Sequence, residues 1–212
     1  MALATLLTVL APAAGRMTDR LLGDEALVRR ARRGDDHAFE LLVARYTRFA
    51  GAVALGVLGD YHGALDVVQE AFVKVLRGLG DLDDPRRFRG WLRNVVRTTA
   101  LDARRRRRVA GRSGEPLPGV EEGTAPLPAP DVRPDDLLEQ AELRSLVRGE
   151  IAHLPETQRE VVMLKYLEGM SYDEIAAVTG LTVSTIESRL FRARTALRSR
   201  LVKRFGAAGG LS

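Results

Sequence analysis

Apolar positions in this chain recur at steps of three and four, and no stretch alternates in twos strongly enough to predict a strand. Leu27, Val28 and Ala31 mark a first short helix. Phe39, Leu42, Val43, Tyr46, Phe49, Val53 and Val57 mark a long second one, closed by the punctuation Gly59-Asp60. Ala64, Val67, Val68, Ala71, Phe72, Val75 and Leu76 mark a third. A loop of Gly, Asp and Pro covers residues 78–85, and a fourth helix starts at Phe88, Trp91, Leu92, Val95 and Val96, with Trp91 read as core. That helix runs through Asp102 into five consecutive arginines, Arg104 to Arg108, read as an unspecific phosphate-attracting end.

The pattern then fails. Residues 110–135 are rich in proline and glycine, and acids outnumber bases, so they read as an extended linker without a core. About 25 residues can reach on the order of 80 Å, enough to bridge the roughly 58 Å spanned by 17 base pairs of DNA. Periodicity resumes in a helix over 136–153 and in another driven by Val161, Val162, Leu164 and Leu167, with Pro155 at its first position and Gly169 at its end.

The stretch from Ser171 to Leu201 is the most determinate. Ser171 and Glu174 form the S-x-x-E capping box of a short helix bearing Ile175, Ala176 and Val178. Gly180 ends it in the left-handed region, and Thr182 caps the next helix. There Ile186, Leu190, Ala193, Leu197 and Leu201 form one apolar stripe. The opposite face carries Ser184, Thr185, Ser188 and Arg192, with Glu187, Arg189 and Arg194 toward its edges. Small hydroxyls and arginines on the open face of a second helix suit base edges and phosphates in a major groove, so this reads as a helix-turn-helix. The competing reading is an αα-hairpin with a solvated face; cap, glycine, turn and stripe together favour the former.

Composition narrows the picture further. The 212 residues carry a net charge of +5, nearly all of the positive charge being arginine, which favours a polyanionic partner. There is no cysteine, and His37, His62 and His153 lack ligand spacing, so neither metal nor cofactor is expected. No nucleophile–base pair or phosphate-cradling loop suggests an enzyme. No stretch reads as long and apolar enough to span a bilayer. Residues 1–16 lack the basic start of a signal peptide and read as an extension ahead of a working start at Met17. The expected architecture is all-α, with two small helical domains over 17–109 and 136–205, a flexible linker over 110–135 and a short tail over 206–212.

On these residues the chain resembles bacterial sigma factors of the extracytoplasmic-function type. The stretch from Leu154 to Leu201 looks like sigma region 4. DVVQEAFVKVLR (Asp66 to Arg77) and FRGWLRNVVRTTALDARRRRR (Phe88 to Arg108) look like region 2. The resemblance implies a cytoplasmic, non-catalytic protein that binds core RNA polymerase and opens promoter DNA. Asp66, Gln69 and Glu70 would dock on the β′ clamp helices, and region 4 would meet the β flap. Arg86, Arg87, Arg89, Arg93, Arg97 and Thr98 would serve minus-ten recognition and melting. Ser184, Thr185, Glu187, Ser188, Arg189, Arg192 and Arg194 would face the minus-thirty-five element. An anti-sigma factor is a further implied partner. Two departures bear on base preference: Thr98 stands where the family often has asparagine, and Glu187 where it often has lysine. A helix-turn-helix regulator acting without polymerase is the alternative.

Overall fold

The computed structural model describes residues 22–112 and 146–206, and every regular element among them is helical. Helix α1 spans Asp24–Ala31, α2 Asp36–Leu58, α3 Tyr61–Gly78 and α4 Phe88–Arg112. Residues 146–152 are helical (α5). Helix α6 spans Glu156–Val162 and widens into a π-turn over Met163–Leu167; α7 spans Tyr172–Thr179 and α8 Val183–Gly206. Residues 136–145, the linker and both termini, including the proposed start at Met17, lie outside the described residues.

Local chemistry sets the boundaries. The carboxylate of Asp35 accepts from the Ala38 amide at 3.0 Å and starts α2; Asp60 accepts from Gly63 at 2.9 Å and starts α3. Between them Gly59, at φ 73°, closes α2 by donating its N–H to the Leu55 carbonyl. The 78–85 loop holds two 3₁₀ turns, Leu79–Asp81 and Pro85–Arg87, and Arg32 ties it down by donating to the carbonyls of Gly80 and Leu82. Pro155 sits one residue earlier than expected. Its ψ of 140° is extended, so it caps α6, and Glu156 is the first helical residue.

Helices α1 to α4 form a bundle whose centre is Leu27, Leu42, Phe49, Val53, Phe72, Phe88 and Leu92, all nearly inaccessible. Trp91 is partly buried and packs on this core, as its spacing implied. Leu76 departs from the reading of α3: it lies just past the inward stripe and is 53% exposed. Helix α2 also corrects one expectation, since its length and composition would allow it to cross a bilayer. Half of that apolar stretch is buried in the bundle, which is reason enough for its hydrophobicity.

The second group, α5 to α8, buries Leu154, Val161, Leu164, Met170, Ile175, Ile186, Leu190 and Ala193. The α8 stripe weakens toward its end, with Leu197 and Leu201 only half-buried. The two groups share one continuous core: α6 and the π-turn pack on α2, and α7 packs on α4. Two features make this close approach possible. Gly56 sits inside α2, where glycine costs about 1 kcal/mol against alanine, and a β-carbon there would lie 2.8 Å from the Cα of Glu160. Beside it the guanidinium of Arg159 donates to the carbonyls of Gly56 and Val57, both at 2.8 Å. These belong to the last turn of α2, whose carbonyls have no partner within the helix.

Candidate nucleic-acid interface

The turn before α8 forms as its sequence dictates. Ser171 Oγ accepts from the Glu174 amide at 3.1 Å, and Glu174 Oε2 accepts from the Ser171 amide at 2.7 Å, which completes the capping box. That backbone bond holds the Glu174 carboxyl below its usual range. Gly180 takes φ 72°, and Thr182 Oγ1 accepts from the Thr185 amide at 3.3 Å to open α8. With Ile186, Leu190 and Ala193 buried beneath, the outer face is fixed. Ser184, Thr185, Ser188, Arg189 and Arg192 line one shallow polar depression along it. Thr182 holds the Thr185 hydroxyl at 2.8 Å, and Arg192 donates to Ser188 Oγ at 3.0 Å. Glu187 and Arg194 are exposed at its edge. Phe191, also on the exposed side and 65% accessible, was not singled out from the sequence. An exposed phenylalanine among serines and arginines was the signal available.

A second surface lies on α3. Asp66 and Gln69 are exposed. Glu70 is instead engaged by Lys74 at 2.9 Å and Arg106 at 2.8 Å, whose hydrogen bonds lower its pKa. Leu65 and Leu76 are exposed on the same side and add apolar area to the acidic one.

The α4 residues divide. Arg86 and Arg87 project from the 3₁₀ turn at its start, their side chains 75% and 85% accessible, with Asp84 as their neighbour. Thr98 is exposed, but its hydroxyl bonds back to the carbonyls of Asn94 and Val95. Arg89, Arg93 and Arg97 turn toward the second group. Arg93 is buried, with Nη2 2.6 Å from Glu160 Oε1. Arg97 and Arg104 hold the two oxygens of Glu156 at 2.5 and 2.7 Å. Burial pushes the Glu156 carboxyl up, and these two hydrogen bonds outweigh it and hold it below its ordinary value. Arg89 lies over the Phe49 ring with Nη1 3.7 Å from Glu174. Among the described residues no cluster of His, Asp or Glu could hold a metal ion.

A helix with a polar, arginine-bearing outer face on a formed helix-turn-helix, in a chain with a second arginine-rich helix, fits the class of helical DNA-binding proteins. The model for Sigma-70 region 2 matches residues 42–109, and that for Sigma-70 region 4 matches 144–197. The chain belongs to the extracytoplasmic-function sigma factors, the alternative sigma factors of transcription initiation. It is 34% identical over 184 residues to the ECF RNA polymerase sigma-E factor of Escherichia coli K12, covering 85% of this chain and 95% of that one. It is 36% identical over 178 residues to the RNA polymerase sigma-H factor of Pseudomonas aeruginosa, covering 82% and 91%. Its fold is similar to CnrH in complex with the cytosolic domain of CnrY (TM-score 0.58, 31% identity, 84% of this chain and 96% of that one). It also resembles the fold of the sigma factor RpoE in complex with the anti-sigma factor NepR from Bartonella quintana (TM-score 0.56, 24% identity, 77% and 96%).

Proposed function

We propose that this sigma factor brings core RNA polymerase to a promoter through three surfaces. The α3 face of Asp66, Gln69 and Glu70, widened by Leu65 and Leu76, docks on the polymerase clamp. Arg86, Arg87, Arg89, Arg93, Arg97 and Thr98 hold the downstream element as it opens, arginines taking phosphates of the displaced strand. Helix α8 reads the upstream element with Ser184, Thr185, Ser188, Arg189 and Arg192. Arg194 acts on the backbone, and Glu187 offers an acceptor suited to a cytosine amino group. The functional units are 17–109 and 136–205, and the acidic segment 110–135 sets their separation on DNA. Two weak grips on one tether gain affinity through effective concentration. The chemistry of RNA synthesis is the polymerase's.

The observation that carries this reading is the polar depression on α8 joined in one chain to the acidic and apolar face of α3. An anti-sigma partner is proposed too, because both solved relatives are described in such complexes or with a partner's cytosolic domain. Run-off transcription with purified core polymerase on genomic fragments tests the function; promoter-dependent transcripts are expected, and none would overturn it. Arg192→Ala should weaken upstream-element binding, with a salt slope about one unit shallower, and leave polymerase capture intact. Loss of both would refute its placement.

A further inference from the structure

We propose that Arg32 is a positioning residue for the downstream grip: it shapes the loop between α3 and α4 and so sets the direction in which Arg86 and Arg87 meet a phosphate chain. The proposal rests on the reading of those two arginines as contacts to the displaced strand. Helix α1 ends in a run of cations, Arg29, Arg30, Arg32 and Arg33, that the three proposed surfaces leave without a task. Arg29 is paired with Glu25, and Arg30 with Asp35. Arg32 turns to backbone instead. Its Nη1 donates to the Leu82 carbonyl and its Nη2 to the Gly80 carbonyl, both at 3.1 Å.

The loop has few fixed points of its own. It holds two 3₁₀ turns and no longer ladder of hydrogen bonds. Leu79 and Leu82 anchor it in the bundle, and Asp84 accepts from the Arg86 amide at 3.0 Å to set the second turn. The fork of Arg32 joins these anchors to α1. Its base is rigid: the Arg32 amide donates to the Val28 carbonyl at 3.0 Å, and Leu27 and Val28 are fully buried. Helix α1 also packs on the Pro85–Arg87 turn, where Glu25 adds to the hold of Asp84 on the Arg86 cation. Direction matters here because the loop carries both signs. Asp81, Asp83 and Asp84 come just before Arg86 and Arg87, so the set of the loop decides which sign meets a phosphate.

Positioning and stability separate at this residue. Arg32 and Gly80 are exposed, so water can satisfy the freed carbonyls once the guanidinium is gone, and the folded chain loses little. A loop that must be ordered at the moment of binding instead weakens the complex. Lysine does not replace the fork. It brings a point charge, whereas the planar guanidinium offers two N–H groups to two carbonyls at once.

Anisotropy of a labelled dT20 oligonucleotide, titrated with the full chain at several salt concentrations, tests this without promoter or polymerase. Arg86→Ala with Arg87→Ala sets the scale: the slope of log affinity against log salt should become shallower by about 1.4, at roughly 0.7 per phosphate of a single strand. Arg32→Ala should weaken binding about 3-fold or more, the factor that ordering one long side chain costs, with the urea midpoint held. Arg32→Lys should weaken it nearly as much. Added to the Arg86→Ala, Arg87→Ala chain, Arg32→Ala should change nothing further, because it acts through those two residues. The ring of Trp91, the chain's one tryptophan, lies against Gly78 where the loop begins, so acrylamide quenching of its fluorescence should rise in both Arg32 variants. Wild-type binding in either Arg32 variant, or a further loss in the triple variant, would overturn the positioning role. So would a large fall in the urea midpoint of Arg32→Ala, which would make the residue a structural one. No loss in Arg86→Ala with Arg87→Ala would overturn the downstream reading as well; a loss there with Arg32→Ala unaffected overturns the role of Arg32 alone.

Discussion

Replacing Arg159 by leucine should cost the folded chain about 2–4 kcal/mol, and the reasoning runs through its hydrogen bonds. Arg159 is 7% exposed, and its guanidinium donates to Gly56 and Val57 at 2.8 Å, to Ala152 at 2.6 Å and to Leu154 at 3.2 Å. Leucine fills part of the volume and donates nothing. A bond from a charged donor is worth roughly 1.5–3 kcal/mol net, so the two that cross to α2 give about 3–6 kcal/mol between them. Burial opposes this, because it disfavours the cation and lowers the Arg159 pKa. The loss also has a ceiling: once the two groups separate, water satisfies the freed carbonyls. Urea unfolding followed by far-ultraviolet circular dichroism at neutral pH measures the loss. Arg159→Lys, which keeps the charge but not the fork of donors, should recover less than half of it. A loss below about 1 kcal/mol for leucine would refute the view that these bonds join the groups.

Two further outcomes follow from the same geometry. Ser171→Ala removes one half of the capping box and should lower stability by about 1 kcal/mol, read as a shift in urea midpoint; no shift would mean the cap is redundant. Acidification should weaken the junction through Glu156, which faces Arg97 and Arg104 on α4 and lies near Arg159 on its own helix. Its carboxyl is held below the ordinary 4.5, so its contribution is complete above that value and fades as pH falls through the lowered pKa. Glu168, which faces Arg48 and Arg89, works the other way: burial raises its pKa, and protonation relieves that cost. Stability of wild-type and Glu156→Gln chains between about pH 3 and 6 separates the two, and an equal acid slope in both would exclude Glu156.

Elements governed by neighbours in sequence were legible from the chain. The capping box of Ser171 and Glu174, the left-handed Gly180 and the stripe of Ile186, Leu190 and Ala193 all formed as expected, because each depends on residues within about two helical turns. The junction was not legible. Gly56 reads as a weak spot in a good helix, and Arg159 as one more surface cation, until the other group is in place. Arg93 and Arg97 follow the same logic. The sequence offers them as cations for DNA, and only the fold brings Glu160 and Glu156 within reach. Leu76 failed for a smaller reason: one residue past the inward stripe, a helix has turned by about 100°, and its side chain faces out.

The absent side chain at position 56 also limits how freely these proteins can be recombined. A chimera that pairs this bundle with the reading half of a relative, or the reverse, needs a partner surface that meets a bare backbone at Gly56 and brings a donor to the carbonyls beside it. Exchanged halves lacking that match would leave Gly56 and those two carbonyls without the neighbours they have here. They would pack less closely than the two groups do here, and a swap made to change promoter choice would also change the stability of the whole chain.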